Sequence, residues 1–189
     1  MMERLGCFAI DADEVYRKLL RSNSDLVTDL RAEFEEAFTD GHLDRAVLGE
    51  ITYNNPGKMD KLKNITHHYI IKEIEHMLDV GRTHNAPMAV IDATLLIESG
   101  VDRICDLVIG VVAPRDVRLL RIVERDSITR ERAEMRINNQ PDSDFYIENC
   151  DYIIDNSKND GAILDKTVGF YDNLVNGLIV KKEKMGENK

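Results

Sequence analysis

Apolar residues gather in four short β-branched runs, "CFAID" (7–11), "MAVIDA" (88–93), "DLVIGVVA" (106–113) and "DYIIDN" (151–156). They barely alternate with polar positions, which suits parallel strands covered on both faces. Between them the apolar spacing turns helical. Leu26, Leu30 and Phe34 recur every four residues, with Phe38 continuing the row. After the turn "NNPG", Leu62, Ile65, Tyr69, Ile70, Ile74, Met77 and Leu78 mark a long amphipathic helix. "APRDVRLLRIVER" opens with Pro114 where a first helical turn tolerates it. Ile163, Leu164, Val168, Tyr171, Leu174, Val175 and Leu178 trace a final stripe, and "MMERLG" reads as the last turn of a helix closed by Gly6. Strands alternating with helices predict an α/β layered fold with right-handed crossovers.

With 189 residues, 43% of them hydrophobic, the chain can bury a real core. The reading is one domain over 1–182 and a polar tail over 183–189. A formal charge of −10 argues against general binding to nucleic acid or an anionic membrane. No apolar run nears the roughly 20 residues that span a bilayer, and the opening residues do not form a signal peptide. The expected compartment is the cytoplasm. Cys7, Cys105 and Cys150 lack CxxC spacing and sit in or beside apolar segments, which predicts buried, reduced thiols.

Ligands of open parallel sheets bind beyond the carboxyl ends of the strands. Three of the four runs carry aspartates there: Asp11 with Asp13, Asp92, and Asp155. Extended backbone would put Asp11 and Asp13 on one side, one free to meet a ligand while the other caps the next helix. The second feature is arginine. Seven of the chain's fourteen arginines fall between Arg115 and Arg136, with no lysine and five acidic residues, so this window is positive in an acidic chain. Arg121 and Arg125 stand four apart, an unfavourable like-charge pair that an anion between them would relieve. His67 and His68 point to different helix faces without a nearby Cys or Asp to complete a zinc set. One of them could donate to a ligand phosphate. Glu98 follows "TLLI" as a helix-end carboxylate.

Six segments, "IDADEVYRKLL", "DGHLDRAVL", "LKNITHHYIIKEI", "VIDATLLIESG", "RIVERDSITRERAEMRINNQ" and "CDYIIDN", appear in the order and spacing of the landmarks of the dephospho-CoA kinase family. The resemblance runs from Met1 to about Asn156. It implies a P-loop kinase of the nucleoside-monophosphate-kinase type, with a helical lid, that uses ATP and Mg2+ to phosphorylate the ribose 3′-hydroxyl of dephospho-CoA. By the same resemblance, Asp13 matches the family's base and Arg17 an arginine facing the acceptor. His67 matches a His-Pro histidine, with His68 in the proline's place. Leu95, Leu96 and Glu98 match a Pro-Leu-Leu-Phe-Glu segment, in which Thr94 and Ile97 replace the proline and the phenylalanine. Arg121, Arg125, Arg132 and Arg136 match the basic lid and its surroundings, and Gln140 the glutamine after it.

One landmark has no counterpart. The family places a strand, a GxxxxGKS/T loop and a helix ahead of the position of "LGCFAIDAD", and these 189 residues contain no such loop; "NNPGKMDK" lacks both the earlier glycine and the hydroxyl. The amides of that loop cradle phosphates, its lysine reaches the transferred group and its hydroxyl holds magnesium. The leading expectation is a dephospho-CoA kinase lacking its central first strand and phosphate loop, inactive as it stands. The alternatives are a non-catalytic CoA- or nucleotide-binding paralogue and a kinase of another small acceptor such as a nucleoside monophosphate. Without that strand, "MAVIDA" and "DLVIGVVA" are expected either to stay apart or to pair directly.

Overall fold

The structure, a computed structural model, describes residues 2–22, 24–53, 55–84, 86–158 and 162–179. The tail over 183–189 lies outside them. The chain divides into two compact units, Met2–Val101 and Asp102–Lys189.

In the first unit a 3₁₀ turn, Met2–Leu5, closes on Gly6 at φ 83° and leads into β1, Phe8–Asp11. Helices α1 (Ala12–Ser22) and α2 (Ser24–Glu33) follow, then a hairpin of β2 (Phe38–Thr39) and β3 (His42–Leu43), α3 (Arg45–Tyr53), α4 (Pro56–Thr83) and β4 (Ala89–Asp92). α4 starts as the sequence predicts: Asn55 accepts the Lys58 amide at 3.1 Å and Pro56 occupies the first turn. Helices α1, α2 and α3 pack on it. Leu26, Leu30 and Phe34 are fully buried, together with Ile74 of α4 and Ile10 of β1. Gly81 lets α4 approach the sheet: a Cβ there would sit 2.8 Å from the Phe8 ring. α2 is tied to α4 by Tyr69, whose hydroxyl donates to Asp29 at 2.6 Å and whose pKa is pushed up to about 12 by that bond.

The helical row does not reach Phe38. α2 ends at Glu33, and Phe38 enters the hairpin because Asp40 and Gly41 both take positive φ, 50° and 82°. Asp-Gly is a favoured pair for such a tight turn. Arg31 fastens it, donating to the Gly41 carbonyl at 2.7 Å and covering the Phe38 ring at 4.9 Å.

The second unit holds β5 (Ile109–Val112), α5 (Arg115–Asp126), α6 (Arg130–Asn138), α7 (Ser143–Asn149), β6 (Tyr152–Asp155) and α8 (Ala162–Val175). Pro114 is the residue before α5 rather than its first. α5 stops at Ser127, in the left-handed region at φ 51°, and Thr129 caps α6 through the Arg132 amide. Leu119, Ala133 and Ile137 are buried between these two helices, with Ile122, Val123 and Ile128 packed around them. Phe170 brings α8 onto β6, its ring 4.8 Å from that of Tyr152. The last residue of the predicted stripe, Leu178, lies beyond α8 and is exposed.

All four predicted strands form, and they pair in parallel as β1 with β4 and β5 with β6. These are separate two-stranded sheets: β4 does not bond to β5, and no described segment adds a third strand to either pair. Of the two outcomes expected for the inner runs, direct pairing does not occur. Val111, in the middle of β5, is 59% exposed, so the described residues do not cover that face as the sequence pattern led us to expect. Cys7 and Cys150 are buried; Cys105 is only half-buried, because it follows a 3₁₀ turn rather than lying in a strand.

Candidate active site

Parallel strands collect their carboxyl ends on one edge, and β1 and β4 deliver a carboxylate each. Asp11 and Asp92 end the two strands in direct register. α1 begins at the residue after Asp11, and the Asp11 carboxylate accepts the Glu14 amide at 2.9 Å. Asp11 is therefore the cap of α1, stabilising it by about 1 kcal/mol as such caps do. Asp13 does not share extended backbone with it, as the sequence reading supposed. It lies in the first helical turn, exposed, with no hydrogen bond or ion pair among the described residues.

Arg17 stands one turn further along α1. Its Nε donates to Glu14 at 2.9 Å, and its Nη2 lies 2.9 Å from Glu14 and 3.9 Å from Asp11. Asp11, Glu14 and Arg17 thus form one bonded cluster at the strand end, beside the unencumbered Asp13. Glu14 was not singled out from sequence. Its signal was the spacing, three residues before an arginine on a helix.

His67 sits half-buried on α4, and Glu98 is exposed in the turn after β4. No hydrogen bond or ion pair joins either of them to the Asp11 cluster among the described residues. Burial pushes the His67 pKa below its ordinary value of 6.5, and Lys63 beside it pushes the same way. At neutral pH His67 is a neutral imidazole that can donate one hydrogen bond without adding charge. The sign follows directly. The folded state prefers the neutral form, so its contribution to stability is present above the unfolded pKa and lost as pH falls through the folded one. Wild-type melting temperature should drop on acidification below pH 6.5, and His67→Gln should flatten that drop. A variant whose pH profile superimposes on wild type would show that His67 does not titrate in this way.

The second unit presents the arginines. Arg121 and Arg125 share α5 but do not face a common gap. Arg121 donates to the carbonyls of Asn156 at 2.8 Å and Lys158 at 3.2 Å, holding the segment that leaves β6. Arg125 turns to its neighbour Asp126, with Nε at 2.7 Å and Nη2 at 3.1 Å, and Arg136 of α6 donates to the same carboxylate. The Arg132 guanidinium has no partner among the described residues. Arg118, one turn before Arg121, has its Nε shut off from solvent with no hydrogen-bond partner among the described residues. At the end of β6, Asp155 accepts from Ser157 and lies 3.9 Å from Lys166. Those bonds from Ser157, with Lys166 and Lys158 nearby, hold its carboxyl below the usual range. Among the described residues no group of three or more His, Cys, Asp or Glu side chains is placed to hold a metal. Nor is any described helix long and apolar enough to cross a membrane.

Known proteins share both the pattern and the fold. The family model for dephospho-CoA kinase matches residues 1–161. A dephospho-CoA kinase of Listeria innocua is 30% identical over 182 residues, covering 93% of this chain and 89% of the relative. One from Latilactobacillus sakei is 31% identical over 157 residues, covering 82% and 78%. A solved protein of Thermus thermophilus has the same fold, with a TM-score of 0.77 at 20% identity over 92% of this chain and 87% of its own. The dephospho-CoA kinase of Campylobacter jejuni superposes with a TM-score of 0.66 at 26% identity, covering 94% and 89%. Strand-end carboxylates, an arginine-bearing helical hairpin and a family match over most of the length agree on one conclusion: the chain belongs to the dephospho-CoA kinase family.

Proposed function

We propose that these residues carry the acceptor site and lid of a kinase that transfers the γ-phosphoryl group of ATP to the ribose 3′-hydroxyl of dephospho-CoA. The observation that carries this reading is the free carboxylate of Asp13 beside a carboxylate and an arginine that are already bonded. An alcohol must lose its proton as it attacks phosphorus, and a free carboxylate at the strand end supplies the base. Arg17, His67 and Glu98 are assigned to the acceptor. Arg121, Arg125, Arg132 and Arg136 are assigned to phosphate oxygens and the lid, Arg121 through the segment after β6 that it holds.

The proton passes from the 3′-hydroxyl to Asp13, the oxygen bonds to the γ-phosphorus, and the bond to ADP breaks. The arginines of the second unit are assigned to offsetting the charge of the nucleotide's phosphates. Magnesium arriving with the nucleotide would supply positive charge to offset that of the phosphates. Such an ion keeps several waters and needs only one or two protein oxygens, a demand that the exposed Asp92 at the end of β4 fits.

A second reading is a non-catalytic binding protein that keeps the acceptor-site residues without phosphoryl transfer. Extending the chain ahead of Met1 with a strand, such a loop and a helix separates the two. The loop-bearing form should phosphorylate dephospho-CoA with a kcat/KM at least tenfold above that for AMP, since acceptor contacts set specificity. No turnover of either acceptor supports the binding protein, and a preference for AMP supports a nucleoside monophosphate kinase.

A further inference from the structure

We propose that Asp126 is a positioning residue: its carboxylate sets the guanidinium groups of Arg125 and Arg136 side by side as one phosphate-binding unit. The inference rests on the reading above, in which these arginines meet phosphate oxygens.

Two arginines brought together repel each other, and they need a reason to stay paired. Three N–H donors converge on Asp126: Nε and Nη2 of Arg125, and Nη1 of Arg136. Arg125 is the residue next to it, but Arg136 comes from another helix, across the turn at Ser127. That turn is fixed independently of the charges, by the apolar cluster of Leu119, Ala133 and Ile137 and by the Thr129 cap. The cluster keeps a net charge of +1. Nη1 of Arg125, with Nε and Nη2 of Arg136, has no partner among the described residues, so both forks keep N–H groups for an anion.

A carboxylate between two arginines can either hold them for phosphate or occupy its place. Exposure decides. The Asp126 side chain is 21% exposed, against 74% for Arg125 and 56% for Arg136. The carboxylate is thus less open to solvent than the guanidinium groups, whose free N–H groups phosphate can meet without displacing it. The hydrogen bonds from Arg125, with the charges of both arginines, hold the Asp126 carboxyl below the usual carboxylate range, so it is ionised at working pH.

The test uses the loop-bearing form and steady-state kinetics against each substrate. Asp126→Asn should raise KM for ATP about tenfold, leave KM for dephospho-CoA within about twofold, and be rescued to within about threefold by Asp126→Glu. In an Arg125→Ala, Arg136→Ala background the added Asp126→Asn should cost less than about twofold, because the groups act as one unit. The inference is overturned if Asp126→Asn leaves KM for ATP unchanged or lowers it, if it shifts both substrates alike, or if it costs the full factor without the arginines. Should the two arginine variants themselves leave ATP kinetics unchanged, the reading beneath the inference fails instead.

Discussion

The 189 residues alone should turn over no measurable dephospho-CoA, whereas the loop-bearing form should reach the ordinary kinase range of about 1–100 per second. Phosphoryl transfer asks little covalent chemistry of a protein. It depends on holding the nucleotide in line and on meeting charge as it shifts. In P-loop kinases the amide cradle, the lysine at the transferred group and the magnesium-binding hydroxyl all come from one loop. No segment of this chain has that pattern, and the second unit's arginines supply neither its amide cradle nor its magnesium-binding hydroxyl. The comparison is an ATP-coupled assay of both forms at equal concentration. Robust turnover by the shorter one would mean that phosphates are held by groups this account does not assign.

Asp13→Asn in the loop-bearing form should lower kcat by about 100-fold with little change in melting temperature, the scale expected when a general base is lost. The separation of effects follows from the geometry. Asp13 is exposed and unbonded among the described residues, so its removal breaks no contact. Asp11→Asn should do the reverse. It weakens the cap on α1 and the approach of Arg17, and so costs stability of about 1 kcal/mol or less, because asparagine caps nearly as well as aspartate. A near-normal kcat in Asp13→Asn would move the base elsewhere, and Asp92, in register with Asp11, is the next carboxylate to replace.

The strands were legible because β-branched runs bounded by turn residues leave few alternatives, and α4 because its cap, its proline and its apolar spacing agree. The hairpin was not. Phe38 happens to stand four residues after Phe34, and that coincidence outweighed the Asp40-Gly41 pair that turns the hairpin. The break between α5 and α6 was hidden for a related reason: Ser127 takes a left-handed conformation with neither glycine nor proline to mark it. Candidate residues divide the same way. Asp11 and Asp13 were visible from position alone, although only the structure shows which one caps. The pairing of Asp126 with Arg136 links residues ten apart across a turn, and no local period points to it. Arg17 became a candidate through family resemblance, not through spacing, and the resemblance chose His67 over His68.

The identity of the atom that receives phosphate tests the central claim most directly. An alcohol acceptor gives a phosphomonoester, whereas a nucleoside monophosphate kinase joins phosphate to phosphate and needs no base to ionise its acceptor. The loop-bearing form, given γ-labelled ATP and equal amounts of dephospho-CoA and AMP, should place the label as a monoester on the ribose 3′-oxygen of dephospho-CoA, as read by phosphorus NMR. Label in the anhydride of ADP, with dephospho-CoA left unmodified, would contradict the account.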